Sequence, residues 1–254
     1  MENIQETLGH SPTGEAQQII SDSKNICLIP SQVPEAITSA LALFYTLKEL
    51  GKNVNLIIET IPENLKFLAP SLDFISYPKN FVISVPNRIA DISQIYYEKN
   101  DEAVKIFLTL ESGNVKKDDI SFYFSETKPD LVVTLGIKDY SDQLKNKLNS
   151  FGFLLDSPVL NIDSAETGEP ENKKFGKINA IGESSLSETI IEIIKSGGED
   201  KIKKDIARCV LSGIVIHTDN FKNKITADIF EIAGSLMKKG ADLKEITDNI
   251  YKTS

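Results

Sequence analysis

Apolar residues fall along this chain in two textures. NICLIP (25–30) and NVNLII (53–58) are short, continuous apolar runs, the pattern of strands buried on both faces. Between them Ile37, Leu41, Phe44 and Leu47 recur at helical spacing, on a helix that Pro34 and Glu35 open and Gly51 stops after Leu50. Strand, helix and strand joined by a GKNV turn predict a βαβ unit, and with it a parallel sheet and a right-handed crossover. From Asp73 to Glu126 the texture changes: FVISV, DISQIYYEKN, VKIFLTLES and ISFYF are strand-like runs joined by turns, with no helical period until about Lys117. This predicts an antiparallel, β-rich insertion over 73–126.

The first texture then resumes. DLVVTL (130–135) predicts a buried strand, Ser141 to Phe151 a helix, Pro158 to Ile162 a strand, and Ser184 to Ser196 a helix capped by Ser184 and stopped by Gly197 and Gly198. The C-terminal third reads as helices over Asp200 to about Ile216, Thr226 to Lys238 and Asp242 to Tyr251, with a stop at Gly240. Residues 1–14, with Gly9, Pro12 and Gly14, read as a flexible lead-in to a short helix over Glu15 to Asp22. The fold class is therefore α/β: a three-layer parallel-sheet domain over 15–254 with a β-rich insertion and a helical C-terminal third.

Composition narrows the function classes. With 41% hydrophobic and 26% charged residues, the 254-residue chain is an ordinary globular sequence. Its net charge of -9 argues against capture of bulk nucleic acid, which needs a basic surface to release counterions. The two cysteines, Cys27 and Cys209, each sit in an apolar run and read as reduced core thiols. The longest apolar segment, Ala36 to Leu47, is broken by Thr38, Ser39 and Thr46, well short of the roughly 20 residues a membrane helix needs. The start carries no secretory pattern, so a cytoplasmic, non-membrane protein is expected.

In open parallel sheets ligands bind beyond the carboxyl ends of strands, so the candidate chemistry lies at 29–35, 135–139, 163–166 and 217–220. No CxxC pair, Gly-rich phosphate loop or GxSxG elbow occurs. A Ser-His-Asp triad would need His217 beside Ser31 or Ser164. Lys173, Lys174 and Lys177 read as a solvated loop.

Four stretches together, ICLIPSQVPEAITSALALFYTLKELGKNV, DLVVTLGIKDYSDQL, VLNIDSAETGEPENKKFG and IARCVLSGIVIHTDNFKNKITADIFEIAGSLMKKGADLKEI, resemble the DHH phosphoesterase family, of oligoribonuclease and phosphoadenosine phosphate phosphatase type. Members of that family cut phosphate esters with a pair of metal ions, usually manganese, held by Asp and His at these strand tips. Two divalent cations of this kind need several carboxylates or imidazoles. Anchored on Ser39-Ala40-Leu41, the family's first motif falls here on Ile29, Val33 and Glu35. Its second places Gly136 where an Asp stands, with Asp139 three residues on. The Asp-His-His that names the family reads Asp163-Ser164-Ala165, and its Asp-Thr-Gly-Asn-Phe reads His217-Thr218-Asp219-Asn220-Phe221.

The resemblance thus implies a DHH-type domain whose remaining ligand-capable positions are Glu35, Asp163 and His217. Ser31, Gly136, Asp139, Ser164, Ala165, Asp219 and Asn220 are expected to line the cleft around them. Family members that digest oligonucleotides carry a second, substrate-gripping domain after a linker, and the sequence ends at Tyr251 to Ser254 where that linker would begin. The expectation is a degenerate phosphoesterase-like protein, a pseudoenzyme without a resident metal, that binds a small ligand or a protein partner or assembles with itself through a sheet edge. The alternative is an active phosphoesterase with a manganese site rebuilt from Glu35, Asp163, His217 and Asp139 or Asp219.

Overall fold

A computed structural model describes residues 12–58, 60–70, 79–126, 128–138, 157–165 and 174–251. The chain divides into two units, Pro78–Thr127 and the remainder. In the larger unit the elements run α1 (Pro12–Asp22), β1 (Asn25–Pro30), α2 (Pro34–Glu49), β2 (Asn53–Leu56) and a 3₁₀ turn (Glu63–Leu68). The smaller unit holds β3 (Lys79–Ser84), β4 (Ala90–Lys99), β5 (Val104–Gly113) and β6 (Ser121–Glu126). The larger unit resumes with β7 (Leu131–Leu135), β8 (Val159–Ser164), β9 (Ile178–Gly182), α3 (Leu186–Ser196), α4 (Lys204–His217), α5 (Ala227–Lys238) and α6 (Leu243–Ile250).

The expected parallel sheet forms from five strands in the order β2-β1-β7-β8-β9. From β1 the chain steps outward to β2 on one side, and from β7 it steps through β8 to β9 on the other. The topological switch therefore lies between β1 and β7, where Pro30 is in register with Leu135. Alternation along each strand divides the sheet into two faces. Ile26, Leu28, Leu131, Val133, Leu135, Leu160 and Ile162 join the main core with α2, α3 and α4. Cys27, Ile29 and Val132 face the other way, with Ile137, Ile57, Val159 and Phe175.

On the main face α2 is buried along most of its length because it packs against α3 and α4 as well as the sheet. Of the polar residues that interrupt its apolar run, Thr38 sits at a close crossing with Gly213 of α4, and Thr46 returns its hydroxyl to the Ala42 carbonyl of its own helix. Arg208 of α4 ties the C-terminal helices down, donating to Glu245 of α6 at 2.7 Å and lying over the Phe67 ring.

Several boundaries differ from the sequence expectation for local reasons. The cap of α3 is Ser185, not Ser184, because only Ser185 has a Glu three residues on to complete a capping box. The helix expected from Asp200 begins at Lys204, since Glu199–Lys201 forms a 3₁₀ turn that drops Ile202 into the core. Strand β9 was not expected; INAIG is too short and too mixed to show a period. The helix expected over 141–151 lies outside the described residues.

The smaller unit is antiparallel throughout. β3 pairs with β6, and β4 with β5, as two separate two-stranded sheets. Tyr96 stacks on Phe107 across β4 and β5, ring centroids 4.7 Å apart.

Candidate functional site

Beyond the strand ends the chain keeps pairing for one more residue. Ser31 N–H donates to the Leu135 carbonyl (2.9 Å), Gly136 N–H to Ile162 (3.0 Å) and Ala165 N–H to Gly182 (2.7 Å). Three of the four predicted tips thus form one row. Gly136 sits at the switch with φ +63, and a Cβ there would lie 3.0 Å from Ala36 Cβ and 3.2 Å from Ser31 Oγ. The backbone turn and the crowding both favour glycine. Beside it Ser31 is 5% exposed, and its hydroxyl meets no hydrogen-bond partner among the described residues.

Glu35 stands in the first turn of α2, aimed at the start of α3. Its Oε1 accepts from both the backbone N–H and the hydroxyl of Ser187, each at 3.0 Å. Its Oε2 lies 3.3 Å from His217 Nδ1. Ser187 is the second residue of α3, so the carboxylate satisfies one of the N–H groups a helix start leaves open and meets the positive end of its dipole. The capping box of Ser185 and Glu188 satisfies the next, with Glu188 N–H donating to Ser185 Oγ at 3.1 Å. His217 closes α4, where the negative end of that helix favours a cation. Glu35 and His217 therefore meet, but as the junction of three helix ends.

Close packing holds this junction. A Cβ on Gly213 of α4 would lie 2.3 Å from Ser187 Oγ and 2.8 Å from Thr38 Oγ1, so α2, α3 and α4 touch where only glycine fits. Neither Ser187 nor Gly213 stood out in the sequence. The readable signal was the S-S-L-S-E run at a helix start, which supplies two reciprocal caps.

Asp163 is placed differently. It is 2% exposed, and its Oδ1 accepts from the Ser164 N–H at 2.7 Å. By alternation it shares the face of Val159, opposite to Leu160 and Ile162, whereas Glu35 and His217 belong to helices on the main face. On Asp163's face Thr134 donates its hydroxyl to Asn161 Oδ1 at 2.8 Å. Among the described residues no three His, Cys, Asp or Glu side chains are placed to hold a metal together.

The remaining predicted residues scatter. Asp219 and Asn220 follow α4 in left-handed conformation, with Phe221 a third consecutive residue of positive φ. Thr218 braces the turn by accepting the Phe221 N–H at 3.0 Å. The carboxylate of Asp219 lies 3.6 Å from Lys222 Nζ and 3.5 Å from the Tyr251 hydroxyl. Burial, and then that carboxylate, push the Tyr251 phenol up. Asn220 lines a separate surface pocket with Met237, Asp242 and Leu243. Ser164 is buried at the end of β8, Ala165 is exposed just beyond it, and Asp139 lies outside the described residues.

No family model and no curated protein matches the chain. A solved structure does: an exopolyphosphatase-related protein from Bacteroides fragilis superposes with a TM-score of 0.66 at 19% identity, over 96% of this chain and 61% of that one. The chain thus spans about three fifths of that protein's length and has a similar fold. Among the described residues no helix is long and apolar enough to cross a membrane.

Proposed function

We propose that this chain is a phosphoesterase-type scaffold without a two-metal hydrolytic centre, and that it works by binding a small ligand or a protein at the ends of β1, β7 and β8. The observation that carries this reading is the engagement of Glu35. Both of its oxygens are engaged inside the fold, one on Ser187 and one beside His217. A metal pair at Glu35 would have to share a carboxylate whose Oε1 already accepts twice from Ser187 and whose Oε2 already lies beside His217. The other ligand-capable position, Asp163, belongs to the opposite face of the sheet. The described donors do not fit a metal pair.

What favours binding at the switch is the Ser31 hydroxyl, buried beside Gly136 and able to donate to or accept from a polar ligand group. The buried carboxylate of Asp163 at a strand tip favours a second reading, a phosphoesterase with a rebuilt site. The two separate in one experiment: incubation with manganese and a generic phosphodiester or a short oligonucleotide. The binding reading expects no turnover above background. Turnover that disappears in Asp163→Ala would establish the enzyme instead.

A further inference from the structure

We propose that two copies of this chain pair through the outer edge of β5, making an antiparallel β5–β5 junction with its two-fold axis at Leu108. Among the described residues β4 and β5 form a sheet of their own, so the backbone N–H and C=O groups on the outer edge of β5 meet no strand. A hairpin of two ten-residue strands is marginally stable as an isolated sheet, and an open edge of that length is a template for another strand. The edge carries no proline, and its apolar side chains are left partly exposed: Val104 is 59% exposed and Ile106 51%, both on the wall of a pocket with Ile83 and Phe122, and Leu110 is 37% exposed.

The sequence of β5 identifies the occupant. Read outward from Leu108, the strand is nearly self-complementary. In antiparallel register about that residue, Ile106 lies opposite the partner's Leu110, and Phe107 opposite the partner's Thr109. Lys105 lies opposite the partner's Glu111, and symmetry repeats each pair, so opposite charges meet twice and like charges do not meet. Glu111 is available for this. The bulge that pairs Asp91 with Ser112 and Ile92 with Leu110 leaves it no opposite residue on β4. The same operation on β4 about Ile95 sets Lys99 against Asp91 but also Glu98 against the apolar Ile92, whereas on β5 every apolar position meets an apolar or neutral one.

Sedimentation velocity of the whole chain over a concentration series tests the proposal. The wild type should show a monomer–dimer equilibrium. Lys105→Glu places two glutamates face to face at both ends of the junction and should raise the dimer dissociation constant by about tenfold. The charge swap Lys105→Glu with Glu111→Lys restores the pairing in reverse and should return the constant to near its original value. Both residues are exposed, so circular dichroism should not change, and the swap still decides if the single variant folds poorly. A chain that stays monomeric throughout, a dimer indifferent to Lys105→Glu, or a swap that fails to recover would each overturn the proposal.

Discussion

At the scale of single residues, Glu35 tests the metal-free reading that the sequence favours against its enzymatic alternative. A carboxylate kept as a metal ligand adds little to stability without metal, and removing such a functional group often stabilises a fold. One that satisfies Ser187 and sits beside His217 is structural. Glu35→Ala should therefore lower stability in metal-free buffer by about 1.5–3 kcal/mol, the range for hydrogen bonds to a charged group. Glu35→Gln, which can still accept from Ser187, should lose less. Chemical denaturation reads both, and an unchanged midpoint for the alanine variant would show that the contacts at 3.0 Å contribute nothing. The sequence singled out Glu35, Asp163 and His217 by position, but not their directions. Which way Asp163 points depends on strand phase, and Glu35's partner lies 152 residues away.

Tyr45 gives a second residue-level expectation. It donates its hydroxyl to the Leu68 carbonyl at 3.0 Å, and burial pushes its phenol well above the usual range. The folded state thus holds the proton more tightly than the unfolded chain does. That contribution is complete below about pH 10, the ordinary phenol value, and is lost as pH rises through the higher folded value. Cys209, fully buried, acts with the same sign from about pH 9, the range of an ordinary thiol. Tyr45→Phe should cost about 1 kcal/mol at neutral pH and make the fall in stability above about pH 10 shallower than in the wild type. Equal slopes in the two proteins would remove Tyr45 from the account.

Among elements, the crossing of α2, α3 and α4 sets the geometry. Two glycines in helices make a paired test. At Gly234 in α5 a Cβ would meet nothing within 4 Å, so Gly234→Ala should stabilise by about 0.5–1 kcal/mol through helix propensity. At Gly213 the same change gains the same propensity but drives a methyl into Ser187 and Thr38. Overpacking of about 1–3 kcal/mol wins, and the variant should be destabilised. Thermal melting of the two reads opposite signs, and a stabilised Gly213→Ala would refute the close crossing. Long periodic elements such as α2 were legible because their burial is written in 3.6-residue spacing. β9 and the start of α4 were not, because a five-residue strand and a 3₁₀ turn are fixed by their neighbours. The left-handed turn after α4 was equally hidden: Asp219 and Asn220 tolerate positive φ, but Phe221 adopts it against its preference, and Thr218 holds the turn together.

For the whole molecule, the order of the strands sets where a ligand would sit. The parallel order β2-β1-β7-β8-β9 makes this the sort of sheet on which ligands bind at the switch point. Two residues there have packing contacts: Gly136 allows the turn, and Glu35 joins three helix ends. The direct test is calorimetric titration of the full chain with manganese, scored for stoichiometry. At millimolar metal the chain should show no saturable uptake of two ions. Two ions bound per chain, lost together in Asp163→Ala, would contradict a scaffold without its metal pair.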